Sequence, residues 1–135
     1  MTTTTPTREV KISLSALAVP HVRHQAYWLY AQTADTIAER VDDPHGRADL
    51  HRELMAHAVT LDQLGWEPRD HEQDVELTTR DDIHRVLAKE AVNWIYTVDL
   101  GEEGGDLDPP KIRVLADRAE ALEAYHAAAS PEASA

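Results

Sequence analysis

The chain has 135 residues, of which 42% are apolar, with a formal net charge of −12 and no cysteine. This length fits one domain with a modest core, and the missing cysteine excludes disulfides, thiol nucleophiles and cysteine-ligated metal sites. The negative charge argues against binding to nucleic acid or to an anionic membrane surface, and no apolar run reaches the roughly 18 residues of a membrane span.

Residues 1–15 are expected to form an extended N-terminal arm. Val10, Ile12 and Leu14 alternate with polar residues, which is the periodicity of a β-strand. No second strand is evident in the sequence. We therefore expect a single short strand that lies along the rest of the protein or pairs with a second copy of itself.

Helical periodicity covers most of residues 16–128. The predicted helices span about 20–41, 47–64, 79–100 and 109–128, with a long loop at 66–77 between the second and the third. Thr78 or Thr79 is a suitable N-cap for the third helix, and Pro109 suits the first turn of the fourth. Residues 129–135 are rich in alanine and serine, and we expect a disordered tail there.

The third predicted helix carries the strongest pattern in the chain. Its apolar residues recur at helical spacing and form a stripe wider than a surface helix needs: Ile83, Val86, Leu87, Ala88, Ala91, Val92, Trp94, Ile95 and Val98. Other helices must therefore cover it on more than one side. The sequence predicts an all-α fold, a four-helix antiparallel bundle with the extended arm attached.

Eight histidines raise the possibility of a metal site. Asp81 and His84 stand three residues apart on the third helix, and Glu53 and His57 stand four apart on the second, so that each pair shares a helix face. Di-metal bundles use two Glu-x-x-His motifs, and this chain has only the Asp81-x-x-His84 variant. His57, His84 and Asp81 are the candidate ligands, but we predict no metal and no other cofactor.

A candidate interaction surface lies on the first helix, opposite its predicted core face. Trp28 is a large aromatic residue among polar neighbours there, and Trp, Tyr and Arg dominate protein interfaces. The candidate surface comprises His21, Arg23, His24, Tyr27, Trp28 and Gln32, with Tyr96 of the third helix as a possible extension. The alternative is that the N-terminal arm or the fourth helix covers Trp28 within the monomer.

The chain lacks the glycine-rich phosphate loop, the G-x-S-x-G sequence and the H-E-x-x-H sequence of common enzyme classes. We therefore predict a small acidic, non-catalytic protein that acts through protein–protein interaction, as a homodimer or with a basic partner. Its role would be that of a regulatory or adaptor protein or of a subunit of a larger assembly. The alternative is a metal- or small-molecule-dependent helical enzyme or sensor that uses inward-facing histidines. The absence of cysteine and the excess of arginine over lysine favour the cytoplasm of a high-GC bacterium.

Overall fold

The computed structural model describes residues 8–40, 42–69, 71–102 and 109–129. In chain order the elements are strand β1 (Glu9–Leu14), helix α1 (Val19–Glu39), helix α2 (Pro44–Leu64), strand β2 (Val75–Arg80), helix α3 (Asp81–Trp94), a π-helical segment (Ile95–Glu102) and helix α4 (Pro109–Ala129). None of the described helices combines the length and hydropathy that a membrane crossing would need. The tail predicted at 129–135 and the first seven residues of the arm lie outside the described residues, apart from Ala129, which ends α4.

The prediction of an all-α four-helix bundle with an extended arm is wrong. The fold is mixed α/β and mostly helical, and its two strands form an antiparallel sheet. The strand expected at 10–14 is present, but it pairs with β2, which comes from the predicted loop and cap region. The signal for β2 is the period-two burial of Leu77 and Thr79 between more exposed neighbours.

The register of the sheet places Lys11 opposite Thr78 and Ile12 opposite Leu77. The side-chain amide of Gln63 on α2 occupies the outer edge of β2: its Nε2 donates to the Thr78 carbonyl at 2.7 Å, and its Oε1 accepts from the Thr78 N–H at 2.8 Å. Gln63 therefore satisfies Thr78 in the way that a neighbouring strand would. The sheet is thereby tied to α2.

Helix α2 begins and ends at residues suited to those positions. The Asp43 carboxylate accepts a hydrogen bond from the Gly46 N–H at 3.0 Å, which caps the N-terminus. A Cβ at Gly46 would collide with that carboxylate. Gly65 ends the helix with a φ of 99°, a conformation that residues with a side chain rarely adopt.

The core lies where the sheet, α1, α2, α3 and α4 meet. Its fully buried large side chains include Leu14, Val22, Leu61, Leu64, Leu77, Leu87, Ile95 and Leu122. The predicted α3 stripe is confirmed at Leu87, Ala88 and Ala91, whereas Val86 is exposed. From Ile95 onward the backbone is π-helical rather than α-helical.

Candidate functional site

The predicted interaction surface on α1 separates into an exposed part and a buried part. Trp28 is 47% exposed, and Tyr27, His24 and Gln32 are also exposed. His21 is only 6% exposed, and Arg23 is likewise buried. The exposed part of the predicted surface is therefore smaller than the whole and centres on Trp28.

The buried Arg23 side chain forms a hydrogen bond to the loop that follows α2. Its Nη1 donates to the carbonyl of Trp66 at 2.9 Å. The Trp66 ring meets Tyr30 edge-on at 5.2 Å, and its Nε1 donates to Asp62 at 2.7 Å. Arg23 is thus a structural residue that joins α1 to the loop after α2.

His21 of α1 is buried near the π-helical segment, α3 and α4. Its Nδ1 lies 3.7 Å from a carboxylate oxygen of Asp99. Burial, with further repulsion from Arg118 and His24, lowers the pKa of His21 to about 4, so the contact is not an ion pair at neutral pH. Burial raises the pKa of Asp99, against the opposing charges of Arg118 and His24.

Two other exposed residues of the predicted surface, His24 and Tyr96, lie near residues of other helices. The His24 ring lies 6.1 Å from the Trp94 ring, at an interplanar angle of 56°. Tyr96 is half-exposed, and burial, together with its interaction with Glu123 of α4, raises the pKa of its hydroxyl. Tyr96 therefore lies against α4. That Tyr96 extends the surface around Trp28 stays a prediction.

The three candidate metal ligands point to three different neighbours. His84 is fully buried against Tyr125 of α4, Asp81 faces Arg8 at 3.9 Å, and His57 faces α1 and α3 from α2. Within residues 8–40, 42–69, 71–102 and 109–129, no group of three or more His, Asp or Glu side chains is arranged to hold a metal ion.

His57 lines a pocket of about 260 Å³ between α1, α2 and the first turns of α3. Its polar lining consists of Gln32, Thr33, Thr36, Glu53, His57 and Asp82, and its apolar lining of Leu29, Leu50, Ile83 and Val86. The buried residues His57, Thr33 and Ile83 form the floor of the pocket. The exposed residues Glu53, Gln32 and Val86 form its rim. The Glu53–His57 spacing was the available sequence signal for this pocket.

Of the two carboxylates in the lining of the pocket, Asp82 forms hydrogen bonds with a cation among the described residues and Glu53 does not. Arg80 donates to Asp82 through Nη2 at 2.5 Å and through Nε at 3.1 Å. Burial alone would raise the pKa of Asp82, but these bonds and the charge of Arg80 bring it below its usual range. Burial and the charge of Arg80 lower the pKa of His57, so His57 is neutral at pH 7.

A second, wider groove of about 740 Å³ lies between α2 and the sheet. Met55, which is 61% exposed, and Val59 form its apolar wall, and Thr78, Thr79 and Arg80 form the opposite side. This groove could not be expected from the predicted elements, because strand β2, which was not among them, forms one of its walls.

Comparisons with known proteins give one partial similarity. The chain is 40% identical over 58 residues to a 1D-myo-inositol 2-acetamido-2-deoxy-alpha-D-glucopyranoside deacetylase of Tsukamurella paurometabola. The match covers 43% of this chain and spans about 20% of the length of that relative. No family model and no solved structure matches the chain.

Proposed function

We propose that this protein is a non-catalytic interaction protein that binds a protein partner through the surface of α1 centred on Trp28. The observation that supports the proposal is the exposure of two consecutive aromatic side chains, Tyr27 and Trp28, on a helix whose other side is buried. Large apolar side chains in water are a source of binding free energy, and Trp and Tyr are enriched among the residues that dominate interfaces.

Because the net charge is −12, the two proposed kinds of partner should respond oppositely to salt. A basic protein would be attracted to this chain, and added salt would weaken that complex. A second copy of the chain would be repelled by its own charge, so salt would strengthen a homodimer that forms around Trp28.

We propose that the protein acts in the cytoplasm of a bacterium, which its cysteine-free and arginine-rich composition supports. The partial similarity to a deacetylase adds no activity to the proposal, because the chain spans about 20% of that enzyme.

The first test is the mass in solution of the wild-type chain and of Trp28→Ala, at about 50 mM and about 500 mM salt. Val114→Ala is the control, because Val114 is an equally exposed apolar residue on α4. A homodimer has twice the 15.1 kDa mass of the chain. It should gain population with salt and be lost in Trp28→Ala alone.

If the wild-type chain is monomeric at both salt concentrations, a photo-crosslinking amino acid is placed at position 28 and, as the control, at position 114. A protein captured only from position 28 is purified, and we expect Trp28→Ala to weaken its binding by at least about tenfold. A dimer or a purified partner that binds Trp28→Ala as tightly as the wild type contradicts the proposal.

A further inference from the structure

The pocket at His57 has one carboxylate, Glu53, that forms no direct hydrogen bond or ion pair with a described residue. Arg80 acts electrostatically on Asp82, Glu53 and Asp81, but its hydrogen bonds go to Asp82 and to the Arg52 carbonyl. Arg8 lies 3.9 Å from Asp81. Glu53 therefore stays at the rim of the pocket without a hydrogen bond or an ion pair to any described residue.

The lining of the pocket offers further acceptors. His57 lines the pocket and is 4% exposed, and a neutral imidazole carries one acceptor nitrogen. Thr36 uses its hydroxyl proton in a 2.9 Å bond to the Gln32 carbonyl, which leaves the lone pairs of its oxygen as acceptors. A neutral imidazole, a hydroxyl oxygen and a carboxylate thus surround one small space.

We propose that this pocket binds a small organic cation, a primary ammonium with a compact apolar body. Its N–H groups donate to the Glu53 carboxylate and to the acceptors of the pocket, and its body packs on Leu29, Leu50 and Ile83. Charge-assisted hydrogen bonds of this kind are stronger than neutral ones.

Other ligand classes fit the lining less well. An anion would meet Glu53 and Asp82, and because burial lowers the pKa of His57, its imidazole supplies no positive charge at pH 7. A metal ion would lack a set of three ligands among the described residues. The volume of about 260 Å³ lies below the roughly 300–1,000 Å³ of drug-sized ligand sites, which restricts the ligand to a small molecule.

The pocket shares Gln32 with the surface around Trp28, but Glu53 and Trp28 each belong to one of the two sites. Trp28 does not line the pocket, and Glu53 does not lie on the exposed face of α1. Loss of ligand binding in a Glu53 variant and loss of partner binding in a Trp28 variant are therefore separate outcomes.

The test uses three probes of one shape and different charge: cyclohexylammonium, cyclohexanol and cyclohexanecarboxylate. Each is titrated into the full chain at pH 7 while the ring resonances of His57, assigned with a His57→Gln variant, are followed by NMR. We expect saturable shifts with cyclohexylammonium and none with the carboxylate.

Two variants separate the pocket from general surface charge. Glu53→Gln should weaken cyclohexylammonium binding by at least about tenfold, the effect of losing one hydrogen bond to a charged group. Glu120→Gln removes an exposed carboxylate from α4, which contributes no lining residue, and should leave the affinity unchanged. No saturable shift at His57, equal binding of the three probes, or full affinity in Glu53→Gln would each overturn the proposal.

Discussion

The Nδ1 atom of His84 lies 2.9 Å from the hydroxyl oxygen of Tyr125, with both side chains fully buried between α3 and α4. Burial lowers the pKa of His84 and raises that of Tyr125, so both groups are neutral at pH 7 and one proton lies between them. The pair is a polar link between two helices within an apolar core. It gives His84, a candidate metal ligand by sequence, a structural role.

Tyr125→Phe removes this hydrogen bond while keeping the ring. Because the Nδ1 of His84 then loses its partner inside the core, we expect the free energy of unfolding to fall by about 1–3 kcal/mol. Urea unfolding at pH 7 measures the change. Tyr27→Phe is the control on an exposed ring and should cost less than about 0.5 kcal/mol; equal effects of the two variants would show that the pair contributes nothing.

Sequence reasoning succeeded where one periodicity dominated. The spacing of Leu87 and Ala91 identified the buried face of α3, and the alternation of Ile12 and Leu14 identified β1. It failed at β2, because Thr78 and Thr79 are also good helix caps and were assigned that role. In the structure both lie in the strand, and Arg80 precedes α3 in an extended conformation without a side-chain cap.

The pocket and the burial of His21 and Arg23 could not be predicted from the sequence either, but for a different reason. Their burial depends on which helices meet, and helical spacing in one segment does not contain that information. Arg23 donates through Nη1 to the carbonyl of Trp66, which is 43 residues away in sequence.

The buried His21 should make stability depend on pH. Its pKa is about 4 in the folded protein and 6.5 in the unfolded chain. Above pH 6.5 the imidazole is neutral in both states, and stability is complete. As the pH falls from 6.5 to about 4, the unfolded chain binds a proton that the folded protein does not, and stability falls by about 3 kcal/mol from this group.

The contribution of His21 can be isolated by substitution. We expect wild type to lose more stability than His21→Gln between about pH 7.5 and about pH 4.5 in urea unfolding. His45→Gln, at an exposed position of α2, should follow the wild-type curve. Burial lowers the pKa of His57 and His84 as well. His21→Gln and His45→Gln should therefore each still lose some stability in acid. Parallel curves for wild type and His21→Gln would contradict the assignment.

Gln63 should matter more than other glutamines because it completes the edge of β2. Gln63→Ala leaves the Thr78 N–H and carbonyl without their partners, and we expect a loss of about 1–2 kcal/mol. Hydrogen exchange of the Thr78 amide should accelerate, and the free edge should promote aggregation. Gln73→Ala, in the exposed loop before β2, is the control. Unchanged exchange at Thr78 would mean that water replaces Gln63 without cost.

The N-cap of α2 predicts a substitution whose effect changes sign. In the wild-type chain, Gly46→Ala drives the Asp43 carboxylate from its place and removes its bond to the residue-46 N–H, so the helix should lose about 0.5–2 kcal/mol. In an Asp43→Ala background there is no carboxylate to displace. Alanine should then stabilise the helix by up to about 1 kcal/mol, since it is the better helix former. A double-mutant cycle in urea measures the coupling; additive effects would mean that the cap does not hold α2, and a change of sign would locate its effect in this one contact.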